Sequence, residues 1–275
     1  MLDAMADFDP DIRRYYSQEW DEDARIRSGL GELELIRTKE IVSRYLPAGP
    51  LDVIDVGGAS GVHSEWLLDL GHRVHLVDPV EPLIGRASDR LGERSGFTAT
   101  LGDGRSIPAE DSSQDVVLLF GPLYHLTRGA DRLRAWREAR RVCRPGGVVF
   151  GAAISRFSSL FSGMAGGVIF DPTFKAIVDQ DLVDGQHRNA SGRDYFTTAY
   201  FHHPEELPKE ATDAGLDVEA VLGVEGIAAW IPALERSWDD PQRRAIIVEA
   251  ARAIESEPTL MGLGPHLIVV ARKPE

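Results

Sequence analysis

The stretch LDVIDVGGASG, residues 51–61, decides the fold, because its β-branched apolar run stops abruptly at two adjacent glycines. A short run of this kind predicts a strand that is buried on both faces. Small residues in the following turn allow the backbone to approach a ligand closely. Residues 63–70 have the length and pattern of a helix, whose N-terminus would present free N–H groups at the same place.

Outside this unit the chain repeats the same alternation of strand and helix. Further strands are predicted at residues 73–78, 97–103, 115–121, 148–155, 216–224 and 266–274. Helices are predicted between them at residues 81–91, 131–143 and 204–215. Alternation at this pace indicates βαβ units and a mostly parallel sheet, so we expect an α/β fold.

Three segments depart from the alternation, and we expect them to surround a ligand site. Residues 1–47 are predicted as an N-terminal helical lid on a main domain of residues 48–275. Its cluster YYSQEWDED (15–23) suits a lid over a ligand or, alternatively, a surface helix. Residues 156–203 are predicted as a substrate-side insertion, whose aromatic side chains suit either a pocket wall or a small core of their own. Residues 225–262 are predicted as a helical insertion.

The composition limits the expected partners and location. Apolar residues make up 43% and charged residues 27% of the 275, as in ordinary globular proteins. The net charge of −14 opposes binding to phosphate backbones, so no nucleic-acid partner is expected. Neither a membrane-spanning apolar stretch nor a signal peptide is recognisable, so we expect a cytoplasmic protein without a membrane partner. The single cysteine, Cys143, offers no metal cluster, and no metal is expected.

The segment DVGGASG (55–61) carries the most specific signal. The dinucleotide fingerprint G-x-G-x-x-G is absent, because the second and third glycines are missing in any register. The segment instead resembles the first motif of class I S-adenosylmethionine (AdoMet)-dependent methyltransferases, E/D-x-G-x-G-x-G. Asp55, Gly57 and Gly61 match this motif, whereas Ala59 replaces its middle glycine. The alternative interpretation is an ordinary tight turn between a strand and a helix.

Other parts of residues 51–155 resemble the same family in the expected order. Asp78 ends the second strand, where the family's acid accepts hydrogen bonds from the ribose hydroxyls, and it could also begin a helix. Asp103 lies where the family holds the adenine amino group. The segment RRVCRPGGVVF (140–150) resembles the one before the family's fifth strand. The predicted cofactor-binding set comprises Asp55, Gly57, Gly58, Gly61, Asp78, Pro79, Gly102, Asp103, Gly104, Phe120 and Tyr16.

The resemblance implies a Rossmann-like, doubly wound sheet of seven strands, in which the last strand inserts antiparallel. It also implies that AdoMet is the cofactor and lies over the C-terminal ends of the first strands. The implied reaction is in-line attack on the sulfonium methyl group, for which positioning and exclusion of water do much of the work. A hydroxyl or carbon acceptor would also need a general base, whereas an amine or carboxylate acceptor need not.

Candidates for that base follow the strand at 115–121, in the segment GPLYHL. His125 has an unperturbed pKa suited to accepting a proton near neutrality, and Tyr124 precedes it. In the alternative interpretation His125 orders the loop and Tyr124 only packs. His63 is expected near the methionine end of the cofactor, and His202 and His203 could enter the substrate pocket.

The expected function is methylation of an organic small molecule. GPLYHL lacks the acid or amide and the second proline of the D/N-P-P-Y/F motif, which argues against methylation of nucleic-acid bases. One alternative is a peptide or protein methyltransferase, and another is a non-catalytic AdoMet-binding regulatory protein. Trp230 and Trp238 lie in helical sequence that could complete the pocket wall or form a homodimer contact.

Overall fold

A computed structural model describes the chain except for residues 1–7, 20, 21, 28, 30, 190–192 and 194. The N-terminal part consists of helix α1 (Pro10–Arg14), a π-helical turn (Tyr15–Glu19), α2 (Glu22–Ile26) and α3 (Gly31–Tyr45). Asp9 caps α1 by accepting the backbone N–H of Asp11 at 2.8 Å. Part of the predicted lid cluster, Trp20 and Asp21, lies outside the described residues.

The described residues form nine strands in one mixed sheet. The strands are β1 (Asp52–Val56), β2 (Arg73–Asp78), β3 (Phe97–Leu101), β4 (Gln114–Leu119), β5 (Cys143–Ser155), β6 (Gln186–His187), β7 (Ala199–His202), β8 (Asp217–Gly223) and β9 (His266–Arg272). The remaining helices are α4 (Val62–Asp69), α5 (Glu81–Leu91), α6 (Pro122–His125), α7 (Gly129–Val142), α8 (Ser158–Gly166), α9 (Pro172–Asp184), α10 (Glu206–Asp213), α11 (Pro232–Glu235) and α12 (Pro241–Ile254).

The sheet has the topology of a doubly wound nucleotide-binding fold. Strands β3, β2, β1, β4 and β5 are parallel neighbours in that order. The last strand, β9, inserts antiparallel between β5 and β8, with Val270 opposite Phe150 and Ala220. These seven strands correspond to the seven predicted ones, so the predicted Rossmann-like α/β fold is confirmed.

Helices cover both faces of the sheet, which explains why its central strands β1, β4 and β5 contain continuous buried apolar runs. On one face α7 and α10 pack against the sheet through buried side chains such as Trp136 and Leu207. On the other face α3, α4 and α5 contribute Ile41, Leu67 and Leu91. With both faces covered, a ligand can reach the sheet at the C-terminal ends of the parallel strands.

Residues 156–203 were predicted to lie outside the sheet, and the structure corrects this. They contain α8 and α9, but also β6 and β7, and β7 pairs in parallel with the end of β5 through Phe201 and Ile154. Strands of two and four residues are too short to show a period of two. Helix α9 begins where Asp171 accepts the N–H groups of Thr173 and Phe174, at 2.8 and 3.2 Å.

Residues 225–262 contain α11, α12 and short 3₁₀ turns at Gly226–Trp230 and Met261–Leu263. Trp238, Ile247 and Val248 form a small buried cluster with Leu33 of α3. The C-terminal insertion therefore packs on an N-terminal helix. Among the helices of the described residues, none combines the length and the apolar character that a bilayer crossing requires.

Candidate active site

A cavity of about 640 Å³ opens at the C-terminal ends of the parallel strands. Its wall includes residues from the turns after β1, β2, β3 and β4, from the N-terminal helices and from residues 156–203. Nine of the eleven predicted cofactor-binding residues line it: Gly57, Gly58, Asp78, Pro79, Gly102, Asp103, Gly104, Phe120 and Tyr16. The topology thus brings together side chains that are far apart in the sequence, and their contacts with a cofactor remain a prediction.

The turn after β1 is compact because it packs against the turn after β4. A Cβ atom on Gly57 would lie 2.7 Å from Pro122 Cδ and 2.9 Å from Gly121 Cα, and the φ of Gly57 is +76°. Ala59 has a φ of +49°, in the left-handed region that disfavours any residue with a Cβ. The position where the family motif has its middle glycine therefore has the backbone conformation that glycine would adopt most easily.

Asp55 and Gly61 lie outside the cavity wall, which corrects the expectation that they contact a ligand directly. Asp55 is fully buried, and its Oδ2 accepts a hydrogen bond from the Ser64 hydroxyl at 2.7 Å. Burial raises the pKa of Asp55 to about 6. Gly61, with a φ of +86°, precedes α4. Both residues shape the turn from beneath.

Asp78 lies at the end of β2, on the cavity wall, and its side chain is buried. Its Oδ2 accepts the N–H of Ala59 at 3.0 Å, and its Oδ1 accepts the N–H of Val80 at 2.8 Å. Burial raises the pKa of Asp78 to about 7, against the effect of these two hydrogen bonds. Each carboxylate oxygen still has a lone pair for a further donor, so the residue fits the two hydroxyls of a ribose.

Asp103, the predicted adenine contact, forms a buried ion pair with Arg105. The Arg105 Nη2 atom lies 2.7 Å from Asp103 Oδ2, and the Arg105 backbone N–H donates to Asp103 Oδ1 at 2.7 Å. This pairing holds the loop after β3 in place at the cavity wall. Any contact of Asp103 with an adenine amino group would have to share oxygens that already accept from Arg105.

The N-terminal helices reach the cavity and contact the turn after β1. Ser60 Oγ donates a hydrogen bond to Asp23, and Arg90 of α5 donates to the same carboxylate at 2.7 Å. His63 lines the cavity against the ring of Phe120, with ring centroids 5.2 Å apart, and burial lowers its pKa to about 4. His63 Nδ1 is buried with no hydrogen-bond partner among the described residues, as expected for an atom that awaits a bound polar group.

The predicted base, His125, forms a hydrogen-bonded pair with Tyr16. The Tyr16 hydroxyl lies 2.9 Å from His125 Nε2, and His125 Nδ1 lies 3.2 Å from the carbonyl oxygen of Thr198. Because the carbonyl can only accept, Nδ1 carries the ring proton and Nε2 accepts from Tyr16. Burial lowers the pKa of His125 to about 4, so the imidazole is neutral at pH 7. No sequence pattern connects Tyr16 with His125, because 109 residues separate them.

Aromatic side chains surround this pair. Tyr124 lines the cavity and packs with Ile154 and Phe201, and its ring lies 4.7 Å from that of His125. Phe196 stacks on His125 with a centroid distance of 6.0 Å. The predicted aromatic wall from residues 156–203 includes Phe174, Tyr195, Phe196 and Phe201.

His202 and His203, which the sequence allowed to enter the pocket, do not line the cavity. His202 is fully buried beside Glu210, with 3.5 Å between His202 Nε2 and the carboxylate.

A second polar group on the wall was not predicted from the sequence. His266 Nδ1 lies 2.5 Å from Glu225 Oε1 and 3.8 Å from Glu34 Oε2, and Arg25 donates to Glu34 at 2.7 Å. Burial opposes charge on the imidazole, but the two carboxylates raise the pKa of His266 above its usual range. We call Glu34, Glu225 and His266 the carboxylate–imidazole cluster.

Fold and site define an α/β protein that binds a nucleoside-containing cofactor at the ends of its parallel strands, and comparisons with known proteins make this specific. Residues 54–151 match the family model described as a methyltransferase domain. An uncharacterised methyltransferase of Mycobacterium tuberculosis is 33% identical over 39% of this chain, and the match spans 42% of that relative's length. The ubiquinone biosynthesis O-methyltransferase of Methylococcus capsulatus is 30% identical over 76% of this chain and 78% of its own.

Solved structures agree on the fold. The AdoMet-dependent methyltransferase from Mesorhizobium loti has a TM-score of 0.59 at 18% identity, covering 87% of this chain and 99% of its own. A phosphoethanolamine N-methyltransferase from Haemonchus contortus, solved in complex with AdoMet, has a TM-score of 0.60 at 16% identity. The match covers 96% of this chain and 60% of that enzyme's chain. The chain belongs to the class I AdoMet-dependent methyltransferases. This membership confirms the predicted enzyme class and the predicted cofactor.

Proposed function

We propose that this protein transfers the methyl group of AdoMet to a hydroxyl oxygen of an organic small molecule with an apolar or aromatic body. The observation that carries the proposal is the hydrogen bond of 2.9 Å between Tyr16 and His125 inside the cavity. A neutral imidazole with one nitrogen anchored and the other held by a hydroxyl is arranged to take up a proton. An amine or a carboxylate acceptor would not need this arrangement.

The proton path follows from the tautomer of His125. AdoMet, when bound, would supply an electrophilic methyl carbon. Loss of this methyl group converts the sulfonium of the cofactor into a neutral thioether. The acceptor hydroxyl gives its proton to Tyr16 Oη, and Tyr16 gives its own proton to His125 Nε2. His125 becomes an imidazolium while its Nδ1 continues to donate to the Thr198 carbonyl oxygen. The second proton moves along the existing hydrogen bond between Tyr16 and His125, and the first along the hydrogen bond that a bound acceptor would form with Tyr16. Neither transfer needs a proton to move farther than the length of one hydrogen bond.

The walls of the cavity favour a small acceptor with apolar surface. The rings of Tyr124, Phe174 and Phe196 line it, as do the aliphatic side chains of Ile12 and Ile154. Such walls exclude water, which strengthens the electrostatic interactions between acceptor and protein. The O-methyltransferase activity in the name of the Methylococcus capsulatus relative supports a hydroxyl acceptor. A volume of about 640 Å³ must hold both cofactor and acceptor, which favours a small molecule over a peptide.

The test is a panel of phenols, catechols, aliphatic alcohols, amines and peptides incubated with AdoMet that carries a labelled methyl group. We expect a labelled methyl ether from at least one aromatic hydroxyl compound. His125→Gln should lower turnover about 100-fold or more, because a general base contributes at least that much, and should leave AdoMet affinity unchanged. The control is His75→Gln, since His75 bonds to Thr100 at 2.9 Å and lies outside the cavity wall.

Three results would contradict the proposal. Label found only in N-methyl products would exclude a hydroxyl acceptor. Label found only in added peptides would favour a peptide or protein methyltransferase. AdoMet binding without any labelled product from the panel would favour a non-catalytic AdoMet-binding regulator.

A further inference from the structure

The carboxylate–imidazole cluster joins three elements that are far apart in the sequence. Glu34 lies on α3, Glu225 follows β8, and His266 is the first residue of β9. One ligand atom from each lies within 4.8 Å of the other two, and all three residues line the cavity. We infer that the cluster binds a divalent transition-metal cation. Binding itself does not depend on the proposed function, but the role of the ion in catalysis rests on it.

The distances within the cluster suit one ion after small side-chain movements. Two ligand atoms at about 2.1 Å from an ion lie about 3.0 Å apart at a right angle and about 4.2 Å apart when opposite. The 3.8 Å from His266 Nδ1 to Glu34 lies within this range, whereas the 2.5 Å to Glu225 is shorter than its lower end, so these two side chains would have to move apart to admit an ion. Metal binding would replace the direct contact between His266 Nδ1 and Glu225 Oε1 with a bond from each atom to the ion.

Groups behind the ligands already orient them. The backbone N–H of His266 donates to Glu225 Oε2 at 3.2 Å. Arg25 donates at 2.7 Å to Glu34 Oε2, the same oxygen that lies 3.8 Å from His266 Nδ1, so this oxygen would be shared between Arg25 and the ion. Metal ligands typically have such outer hydrogen bonds, which fix their orientation. The Glu225 side chain is 2% exposed, whereas that of His266 is 23% exposed. An ion here would have a buried carboxylate on one side and the cavity on the other.

The ligand types indicate which ion to expect and what it would bind. One imidazole and two carboxylates suit Mn²⁺, Fe²⁺ or Zn²⁺ better than Cu⁺, which prefers sulfur ligands. Three protein ligands leave coordination positions open on the cavity side. Those positions would take oxygen atoms of the acceptor, and the ion would lower the pKa of a bound hydroxyl. The proposed acceptor is thereby narrowed to molecules with two neighbouring oxygen atoms, such as catechols.

The test uses the full chain, freed of metal by chelation, with Mn²⁺ as the probe and no acceptor present. Calorimetry and the electron paramagnetic resonance signal of free Mn²⁺ should show one bound ion per chain. Glu225→Gln and His266→Gln should each weaken binding at least about 10-fold. Glu210→Gln is the matched control, because Glu210 also pairs with a histidine, at 3.5 Å, but lies outside the cavity wall. Circular dichroism checks that each variant folds.

The outcomes separate this inference from the proposed function. Wild-type protein that binds neither Mn²⁺ nor Zn²⁺ up to about 1 mM, the weak end for a built cation site, would overturn it. Equal binding by Glu225→Gln, His266→Gln and the control would overturn it too. Weaker AdoMet binding in Glu225→Gln, without metal binding in wild type, would assign the cluster to the cofactor instead. Because the readout needs no turnover, failure of methyl transfer leaves the result interpretable.

Discussion

Asp78 combines a structural role in the backbone turns with a place on the cavity wall, a combination that its position in the sequence allows. It holds the backbone N–H groups of Val80 and Ala59, and it also lies on the cavity wall. These two hydrogen bonds fix the turns after β1 and β2 relative to each other. The carboxylate oxygens keep further lone pairs, which can accept from the two hydroxyls of a diol. The cost of burying this carboxylate is visible in its pKa, which burial raises to about 7.

This pKa predicts how cofactor affinity depends on pH. Ribose hydroxyls donate to the ionised carboxylate, and in the free protein that form predominates only above about pH 7. Affinity for S-adenosylhomocysteine should therefore rise with pH and level off above 7, with a gain of roughly 30-fold between about pH 5.5 and 8. Calorimetry at a series of pH values measures the affinity for S-adenosylhomocysteine. Asp78→Asn should bind weakly at every pH; a wild-type affinity independent of pH would contradict the prediction.

Ala59 occupies a backbone conformation that costs free energy. Its φ of +49° places the Cβ close to the neighbouring carbonyl, which glycine avoids. Ala59→Gly should raise the free energy of unfolding by about 0.5 kcal/mol, because relief of about 1–2 kcal/mol of strain exceeds the cost of about 0.4–1 kcal/mol from the greater freedom of the unfolded chain. Urea denaturation measures the free energy of unfolding of the variant and of the wild type. The control is Ala250→Gly on the exposed face of α12, which should cost about 1 kcal/mol. Equal losses in both variants would contradict the strain at Ala59.

At the scale of elements, α9 is held to the rest of the insertion by a buried pair. Asp181 Oδ2 lies 2.9 Å from His187 Nδ1, and both side chains are almost completely buried. His187 Nε2 lies 3.3 Å from the carbonyl oxygen of Phe196, which also stacks on His125. The pair therefore connects the helix of the insertion with the aromatic wall of the cavity.

Asp181→Asn should lower the free energy of unfolding by about 3 kcal/mol, because removing one partner leaves the other buried and poorly paired. Asp179→Asn on the same helix is the matched control. Asp179 pairs with Lys175 in solvent, so its loss should cost less than about 1 kcal/mol. Chemical denaturation monitored by tryptophan fluorescence compares the two variants. A loss at Asp181 no larger than at Asp179 would show that the buried pair does not stabilise the insertion.

The elements also show what sequence alone can predict. The central strands were predictable, because each contains a run of buried apolar residues, as in VVLL before Phe120, whereas β3 and β8 are only partly buried and have a weaker pattern. The short strands β6 and β7 were not, since two to four residues contain too little pattern. The turn after β1 was predictable from its small residues, but the burial of Asp55 beneath it depends on the hydrogen bond from Ser64 and on its position opposite Leu76 in the sheet.

At the scale of the whole molecule, the cavity depends on parts of the chain that only the fold brings together. Tyr16 comes from the N-terminal helices, His125 from the turn after β4, and His266 from the last strand. No spacing in the sequence links these residues, whereas the cofactor motif is continuous and was visible at once. This difference explains why cofactor and fold could be predicted while the carboxylate–imidazole cluster could not.

Homodimer formation and the absence of nucleic-acid partners stay predictions.

The position of β9 has a consequence for how the protein is made. Because residues 266–272 fill the gap between β5 and β8, those two strands have no neighbour there while the ribosome is still synthesising the segment before residue 266. The long, apolar edge of β5 is then open to wrong pairing with other chains. The sheet becomes complete only after β9 has left the exit tunnel, so chaperones that cover nascent chains would protect this edge until that moment.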